Sequence, residues 1–305
     1  MPSRLATTLL GIPLRTPVLA ASGTFGYGIE FSNLLDLESI GGLVVKGLSR
    51  EPMEGNPPPR LWETRGGMLN SVGLQNMGVQ AFLRDRWPAL RRINVPVFAN
   101  IFGYTVEDYV EVARALEDAE GLAGYELNVS CPNTKHGGIY FSSDPVVLSE
   151  VVSEVRAHSR RPLMVKLSPN VAEIEPLARA AADAGADAIS LVNTFPALAI
   201  DARARRPRLG AGFGGLSGPG IKPIALRMVY EAAQAVKIPV VGMGGISTGL
   251  DAAEFLITGA SAVEVGTANF WDPQATVRIA RELDQFLAEE NIVHVCELVG
   301  TLRWE

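Results

Sequence analysis

Short apolar segments alternate with longer amphipathic segments along most of this chain. The apolar segments are rich in Val, Ile, Leu and Ala and show no polar alternation, which is typical of strands buried on both faces of a parallel sheet. The pattern predicts eight strands, at 18–22, 42–47, 95–101, 125–130, 163–168, 188–194, 239–245 and 262–268. It predicts helices between them, among them 106–120, 144–159, 171–184, 222–236 and 250–257.

Several helices carry start signals in the sequence. Thr105 followed by Asp108 approximates a capping box, and Asp144 stands before a proline at the first helical position. Eight strands alternating with helices in 305 residues indicate a (β/α)8 TIM barrel. A doubly wound open sheet is the alternative, since periodicity does not show closure. We expect a single domain over 1–305, with long inserted loops, one of them a hairpin, at 49–75 and 195–220.

Polar residues follow most of the predicted strands. Barrel enzymes build their active sites at the carboxyl ends of strands. An unpaired polar group in a buried strand costs a few kcal/mol, so packing alone does not select Lys or Asn there. We therefore expect an active site formed by the strand-end residues, which are Ser22, Lys46, Asn100, Asn128, Lys166, Asn193, Thr194, Gly244, Gly245, Gly266 and Thr267.

The last two strands end in glycine, and loops after the seventh and eighth strands of barrels often hold a phosphate. Gly244, Gly245 and Gly266 would let backbone N–H groups approach an anion, which favours a phosphate-bearing cofactor. The segment 214–220 adds a third contact or is a flexible linker. Asparagines, including Asn70, offer donors and acceptors to a pyrimidine or flavin ring.

Composition narrows the function further. A net charge of −6 and a pI near 5.3 argue against a nucleic-acid surface. Two cysteines are too few for a disulfide scaffold or an iron–sulfur cluster and suit a reducing cytoplasm. No apolar run approaches the roughly 20 residues that span a membrane, and the N-terminus is too short and broken for a signal peptide. No metal-ligand spacing is present, so we expect no metal site.

Several motifs together resemble dihydroorotate dehydrogenase of the class 1 type. They are NVSCPN at 128–133, KLSPN at 166–170, NSVGLQN at 70–76, GLSG at 215–218 and GMGG at 242–245. The segment ASGTFGYG at 21–28 is similar to the B-type, NAD-linked branch. The likeness extends from about residue 10 to residue 269. It implies a barrel that oxidises dihydroorotate to orotate in pyrimidine synthesis with FMN as cofactor.

The resemblance also implies roles for particular residues. The FMN contacts would be Ser22, Lys46, Gly47, Asn100, Asn128, Lys166, Val192, Gly218, Gly244, Gly245, Gly266 and Thr267. The substrate contacts would be Lys46, Asn70, Ser71, Val72, Gly73, Leu74, Asn128, Asn193 and Thr194. The catalytic residues would be Cys131, Lys46 and Lys166, with Cys131 as the base.

The chemistry fits these residue types. A thiolate can take the substrate proton, and an ordinary cysteine is mostly protonated at neutral pH, so activity should rise with pH. Lys166 would stabilise negative charge on a reduced ring, and Lys46 would position the ligands. The segment 135–138, which contains His136, is interpreted as a lid. Arg203, Arg205, Arg206 and Arg208 are interpreted as a solvated or steering surface, and His294 and Cys296 as structural.

Electrons must leave the reduced cofactor, and the chain has no strand–GxGxxG–helix unit for a second nucleotide. The resemblance implies a partner subunit with FAD and a [2Fe-2S] cluster, and a homodimer within a heterotetramer. Three alternatives stay open. They are an FMN barrel acting on another dihydropyrimidine or using another electron acceptor, an aldolase or isomerase with a Lys166 Schiff base, and a non-catalytic binding barrel.

Overall fold

The computed structural model describes residues 3–130, 132–133 and 139–304, with the backbone alone for 132–133 and 139–140. Its centre is a closed barrel of eight parallel strands whose neighbours follow one another in chain order. The strands are β1 Val18–Ala20, β2 Gly42–Leu48, β3 Val97–Ile101, β4 Gly124–Asn128, β5 Leu163–Lys166, β6 Ala188–Leu191, β7 Val240–Met243 and β8 Ala262–Val265.

Pairing of Val263 in β8 with Val18 in β1 closes the barrel. The structure thus confirms the (β/α)8 TIM barrel over the open sheet. Most strands begin within two residues of the predicted start and end two to three residues before the predicted end, because the polar residues that follow turn into the mouth.

Helices surround the barrel and lie between the strands. They are α1 Val79–Asp85, α2 Trp87–Leu90, α3 Val106–Glu117, α4 Pro145–Ala157, α5 Glu175–Asp183, α6 Lys222–Ala235, α7 Gly249–Ile257, α8 Ala268–Trp271 and α9 Ala275–Glu289. Short 3-10 helices are Ile29–Phe31, Leu37–Ser39, Phe141–Ser143, Pro219–Ile221 and Val295–Leu298. In the described part of the chain, no helix has the length and apolar character needed to cross a membrane.

The two predicted helix-start signals, Thr105 and Asp144, are present at α3 and α4, whereas α5 begins four residues after its predicted start. Thr105 and Asp108 form a reciprocal capping box at α3, and Thr248 with Asp251 forms a second box at α7. The Asp144 carboxylate accepts hydrogen bonds from backbone N–H groups in the first turn of α4. These bonds satisfy N–H groups that would otherwise lack partners, and they fix the residue at which each helix begins.

An antiparallel hairpin of strands Thr7–Leu9 and Ile12–Leu14 closes the N-terminal end of the barrel. Its side chains pack against a buried apolar layer from the early part of the barrel strands. The two together are here called the bottom layer, which combines the hairpin residues Leu9 and Leu14 with the strand residues Leu19, Val44, Phe98, Met164, Ala188, Val241 and Ala262. A second and larger apolar cluster lies mainly between the barrel and the helices.

The two long insertions meet over the opposite end. Segment 49–75 forms the predicted hairpin, Leu61–Thr64 with Gly67–Asn70. Strands Phe195–Ala197 and Gly214–Ser217 of the second insertion extend it into one four-stranded antiparallel sheet, here called the cover sheet. The second insertion is therefore largely ordered structure over the mouth. The remaining short strand pairs are Ile200–Asp201 with Arg206–Pro207 and Pro132–Asn133 with Ile139–Tyr140.

Candidate active site at the mouth of the barrel

One cavity of about 690 Å³ lies between the carboxyl ends of the strands and the cover sheet. The described residues predicted for the site all line it. They are Ser22, Lys46, Gly47, Asn70, Ser71, Val72, Gly73, Leu74, Asn100, Asn128, Lys166, Val192, Asn193, Thr194, Gly218, Gly244, Gly245, Gly266 and Thr267. Because the strands are parallel, their ends share one edge, which gathers residues more than 200 positions apart in sequence.

The predicted site asparagines, which are Asn70, Asn100, Asn128 and Asn193, all line this cavity. Asn193 Nδ2 lies 2.9 Å from Ser130 Oγ and 3.4 Å from Asn128 Oδ1. Asn70 Nδ2 lies 3.4 Å from the Gly215 carbonyl and so ties the first insertion to the second. Amide groups held by neighbours in this way present fixed donors and acceptors to a ligand.

Glycine-rich turns form one wall of the cavity. Gly218, Gly244 and Gly245 have positive φ values of 95°, 126° and 79°, which other residues rarely adopt. A Cβ on Gly245 would lie 2.9 Å from the Gly218 carbonyl oxygen, so these turns are packed against each other. A cis peptide bond joins Leu191 to Val192 nearby.

Gly266 differs from these glycines. A Cβ built there would meet no protein atom closer than 3.7 Å, and Gly266 lines the cavity. The absence of a side chain at Gly266 therefore leaves space for a ligand group. Thr267, the next residue, donates from its hydroxyl to Ser217 Oγ at 2.8 Å and links the eighth loop to the cover sheet.

Two lysines place positive charge beneath the mouth. Burial, and then the positive charge of Lys166, lower the pKa of Lys46. Burial also lowers the pKa of Lys166, but interactions with the neighbouring carboxyl groups, first Glu126 and then Glu264, outweigh this effect and raise that pKa above its ordinary value. Among the described residues, Lys166 has a carboxylate partner, Glu126 at 3.5 Å, whereas Lys46 has none. Lys46 is thus the ammonium group available to an anionic ligand.

Sequence reasoning missed the two buried glutamates. Glu126 and Glu264 lie in β4 and β8 and are fully buried. The signal was present, because each is a charged residue inside an apolar strand, two positions before a predicted site residue, Asn128 or Gly266. Side chains two positions apart on a strand point to the same face, here the barrel interior.

Some predicted residues stand apart from the cavity or outside the described structure. Cys131 and the 135–138 segment with His136 lie outside the described residues. Arg203, Arg205 and Arg206 are exposed, whereas Arg208 pairs with Asp201 at 2.7 Å and stacks on Trp62 with its guanidinium 4.5 Å from the ring centroid.

The C-terminal segment has a structural role in the described fold. Val295 and Leu298 are buried, and His294 Nδ1 accepts the backbone N–H of Cys296 at 3.3 Å. Cys296 itself is exposed, with its sulfur 3.4 Å from Thr7 Oγ1.

This arrangement suits an anionic, amide-bearing ligand next to a larger group that carries a phosphate. Lys46 supplies charge, and the asparagine amides supply directional hydrogen bonds. Glycines near the last two strands permit close backbone approach to a phosphate. A cavity of this size lies within the usual range for small-molecule sites, about 300–1,000 Å³.

Comparison with known proteins agrees with this geometry. The family model described as dihydroorotate dehydrogenase matches residues 4–287. A protein of Solibacter usitatus (strain Ellin6076), provisionally named dihydroorotate dehydrogenase A (fumarate), is 68% identical over 304 residues and 100% of both chains. Proteins of Geobacter sp. (strain M21) and Geotalea uraniireducens (strain Rf4) are 54% and 55% identical over 298 residues and 98% of both chains.

The Geobacter and Geotalea proteins are both named dihydroorotate dehydrogenase B (NAD(+)), catalytic subunit. The matches extend over nearly the whole barrel and include the mouth, the cover sheet and the glycine turns. The chain therefore belongs to the dihydroorotate dehydrogenase family.

Proposed function

We propose that this chain is the catalytic subunit of a B-type dihydroorotate dehydrogenase, which oxidises dihydroorotate to orotate in pyrimidine synthesis. The observation that carries the proposal is the convergence of the described motif residues on one cavity in a chain of this family. We further propose that residues 1–305 form a single barrel domain. A cytoplasmic location stays a prediction from the composition.

The residues at the mouth fit FMN. The open space at Gly266 and the tight turns at Gly244 and Gly245 suit a phosphate, and the amide and ammonium groups that line the same cavity suit a polar ring. When bound, FMN supplies a ring that accepts a hydride and gives up electrons singly or in pairs. We assign the cofactor to Ser22, Lys46, Gly47, Asn100, Asn128, Lys166, Val192, Gly218, Gly244, Gly245, Gly266 and Thr267.

The substrate carries a carboxylate and a ring of alternating N–H and C=O groups. We assign its binding to Lys46, Asn70, Ser71, Val72, Gly73, Leu74, Asn128, Asn193 and Thr194. Lys46 would hold the negative charge, and the asparagines would pair with the ring edge. A ring without the carboxylate leaves Lys46 without a counter-ion, which disfavours neutral dihydropyrimidines.

We assign the proton abstraction to Cys131, which follows the described residues Asn128 and Ser130. Cys131→Ala should retain FMN and lose turnover by about 10²–10⁴-fold, the usual contribution of a general base. Cys131→Ser should keep weak activity that increases at high pH, since its hydroxyl is a poorer base. Near-normal turnover of the alanine variant would remove the thiol from the mechanism.

We propose that electrons pass to NAD through a partner subunit carrying FAD and a [2Fe-2S] cluster, within a heterotetramer built on a homodimer. The names of the Geobacter and Geotalea proteins support the acceptor and the existence of a second subunit. The name of the Solibacter protein favours fumarate as a second candidate acceptor.

Turnover assays with the purified chain separate these acceptors. The chain alone should not reduce NAD at the full rate. Addition of the partner subunit should restore that rate. Rapid fumarate-dependent turnover of the isolated chain would instead support the second candidate. Substrate identity is tested in the same assay with a dye as acceptor. Turnover should need dihydroorotate, and equal rates with dihydrouracil would contradict the proposed function.

A further inference from the structure

Two carboxylic acids lie directly beneath the candidate active site, on strands that are not neighbours. Glu126 is on β4, and Glu264 is on β8. Both are completely buried. Isolated buried carboxylates are strongly unfavourable, so each must have partners or hold its proton.

Glu126 has partners suited to a carboxylate. Its Oε1 accepts a hydrogen bond from Asn100 Nδ2 at 2.5 Å and lies 3.5 Å from Lys166 Nζ. Its Oε2 accepts from the Ser190 hydroxyl at 3.0 Å. Three donors, one of them charged, compensate much of the cost of burying a negative charge.

Glu264 lies in the opposite situation. Neither of its oxygens has a hydrogen-bond donor among the described residues. Burial, and then the negative charge of Glu126, raise the pKa of Glu264 well above its ordinary value. A protonated Glu264 becomes a donor itself, and its interaction with Glu126 then changes from repulsion to a hydrogen bond.

We propose that Glu126 and Glu264 hold one proton between them beneath the mouth, so that Glu126 is the carboxylate that positions the Lys166 ammonium and Glu264 is a neutral acid. Among the described residues, the ionisable side chains that face the barrel interior from its strands are Lys46, Lys166, Glu126 and Glu264. The Lys166 charge is then balanced by Glu126, and one net positive charge, on Lys46, remains for anionic ligands.

Both glutamates are positioning residues in this arrangement, because they act through Lys166. Aspartic-protease dyads show the same principle, in which two close carboxyl groups share a proton. The expected effect of these glutamates on the flavin reduction potential rests on the proposed function, whereas their protonation state does not.

Infrared spectroscopy tests the protonation state directly. The full-length chain as purified, at pH 7 and with isotope-labelled glutamate, should show one label-sensitive band of a protonated carboxyl group. Glu264→Gln should remove that band. Glu117→Gln is the control, because Glu117 accepts hydrogen bonds from Tyr125 and Ser159 and has a lowered pKa, and it should leave the band unchanged.

Absence of the band in the wild type would overturn the proposal, as would its persistence in the Glu264→Gln variant. The wild-type spectrum decides the first point even where a variant fails to fold. Neither measurement depends on flavin or substrate, so the outcome is separate from the success or failure of the proposed function.

Flavin reduction potentials test the charge balance in the holoenzyme. Glu264→Gln replaces a neutral group by a neutral group, and the equilibrium between oxidised and reduced flavin should move less than twofold. Glu126→Gln combined with Glu264→Gln leaves Lys166 without a counter-ion and should move the equilibrium at least tenfold, which is about 30 mV for a two-electron couple. A large shift with Glu264→Gln alone, or none with the double variant, would contradict the proposal.

Discussion

The two ends of the barrel interior are built from the same strands and have opposite chemistry. Phe98 and Met164 belong to the bottom layer, and Asn100 and Lys166 lie two residues further along the same strands. Two residues of strand correspond to about 6.6 Å. Within that distance the interior changes from a closely packed apolar layer to a network of charged and amide groups.

The comparison teaches how the fold separates stability from chemistry. The bottom layer has no polar group to satisfy, so its contribution is burial and packing. The mouth contains polar groups at least partly removed from solvent that the described protein satisfies only in part, such as Lys46, and such groups are retained where they bind or react. Changes at the bottom should therefore affect unfolding, and changes at the mouth should affect ligands.

The largest effect should come from the bottom layer. Phe98→Ala removes a fully buried ring and should lower the free energy of unfolding by about 3–5 kcal/mol. Turnover per folded molecule should stay within about twofold of wild type. Urea denaturation and dye-linked turnover measure the two quantities. Met164→Leu, which conserves volume, is the control and should cost less than about 1.5 kcal/mol. A large loss of turnover in folded Phe98→Ala would contradict the claim that the bottom layer contributes to stability and not to turnover.

Lys46 should show the opposite behaviour. Lys46→Met keeps the length of the side chain and removes a partly buried ammonium group without a described partner. We expect turnover to fall by about 10²–10³-fold, the usual cost of losing one electrostatic stabiliser. The free energy of unfolding should stay equal or increase, because burial penalises the charged form. A variant that unfolds easily yet turns over normally would contradict this assignment.

The protonation state of Glu264, which lies beneath the mouth, can be tested through the pH dependence of the free energy of unfolding. Its pKa is raised in the folded chain, whereas the unfolded value is about 4.3. Below the unfolded value both states are protonated. As the pH rises above it, the unfolded state loses its proton while the folded state keeps it, so wild-type stability falls.

Glutamine does not titrate, and Glu264→Gln should therefore gain stability relative to wild type as the pH rises toward 7, by about 1.4 kcal/mol for each pH unit in which only the unfolded wild type has lost its proton. The difference should shrink as the pH is lowered toward 4. Denaturation curves across this pH range supply the measurement. A stability gain that is independent of pH would show that titration of Glu264 is not its cause.

The smallest effect should come from the open space at Gly266. Gly266→Ala adds a methyl group that meets no protein atom closer than 3.7 Å, at a residue that lines the cavity. We expect FMN affinity to fall about tenfold, or about 1.4 kcal/mol. Gly66→Ala is a matched control, because its added Cβ also meets no atom closer than 3.6 Å and Gly66 does not line the cavity. Equal FMN affinity in both variants would remove Gly266 from the cofactor site.

The sequence predicted the barrel because its strands are apolar runs of characteristic length separated by amphipathic helices. It predicted the described site residues because Lys46, Asn128 and Lys166 stand where buried strands end, and parallel strands bring those ends together. The pairing of particular side chains was not predictable, since it depends on how far the strands are staggered when the barrel closes.

Glu126 and Glu264 illustrate this limit. Each reads in the sequence as one charged residue in an apolar strand, and only closure places both beneath Lys166. The cover sheet is a second case, because a short hairpin and a glycine-rich loop 120 residues away gave no signal that they pair. For Cys131, which lies outside the described residues, the assignment rests on the motif that contains it.

The most direct test of the central claim is the visible spectrum of the purified chain before and after anaerobic addition of dihydroorotate. We predict the absorbance of an oxidised flavin, which bleaches as the substrate is consumed and orotate appears in equal amount. A colourless protein, or a flavin spectrum that dihydroorotate leaves unchanged, would contradict the account.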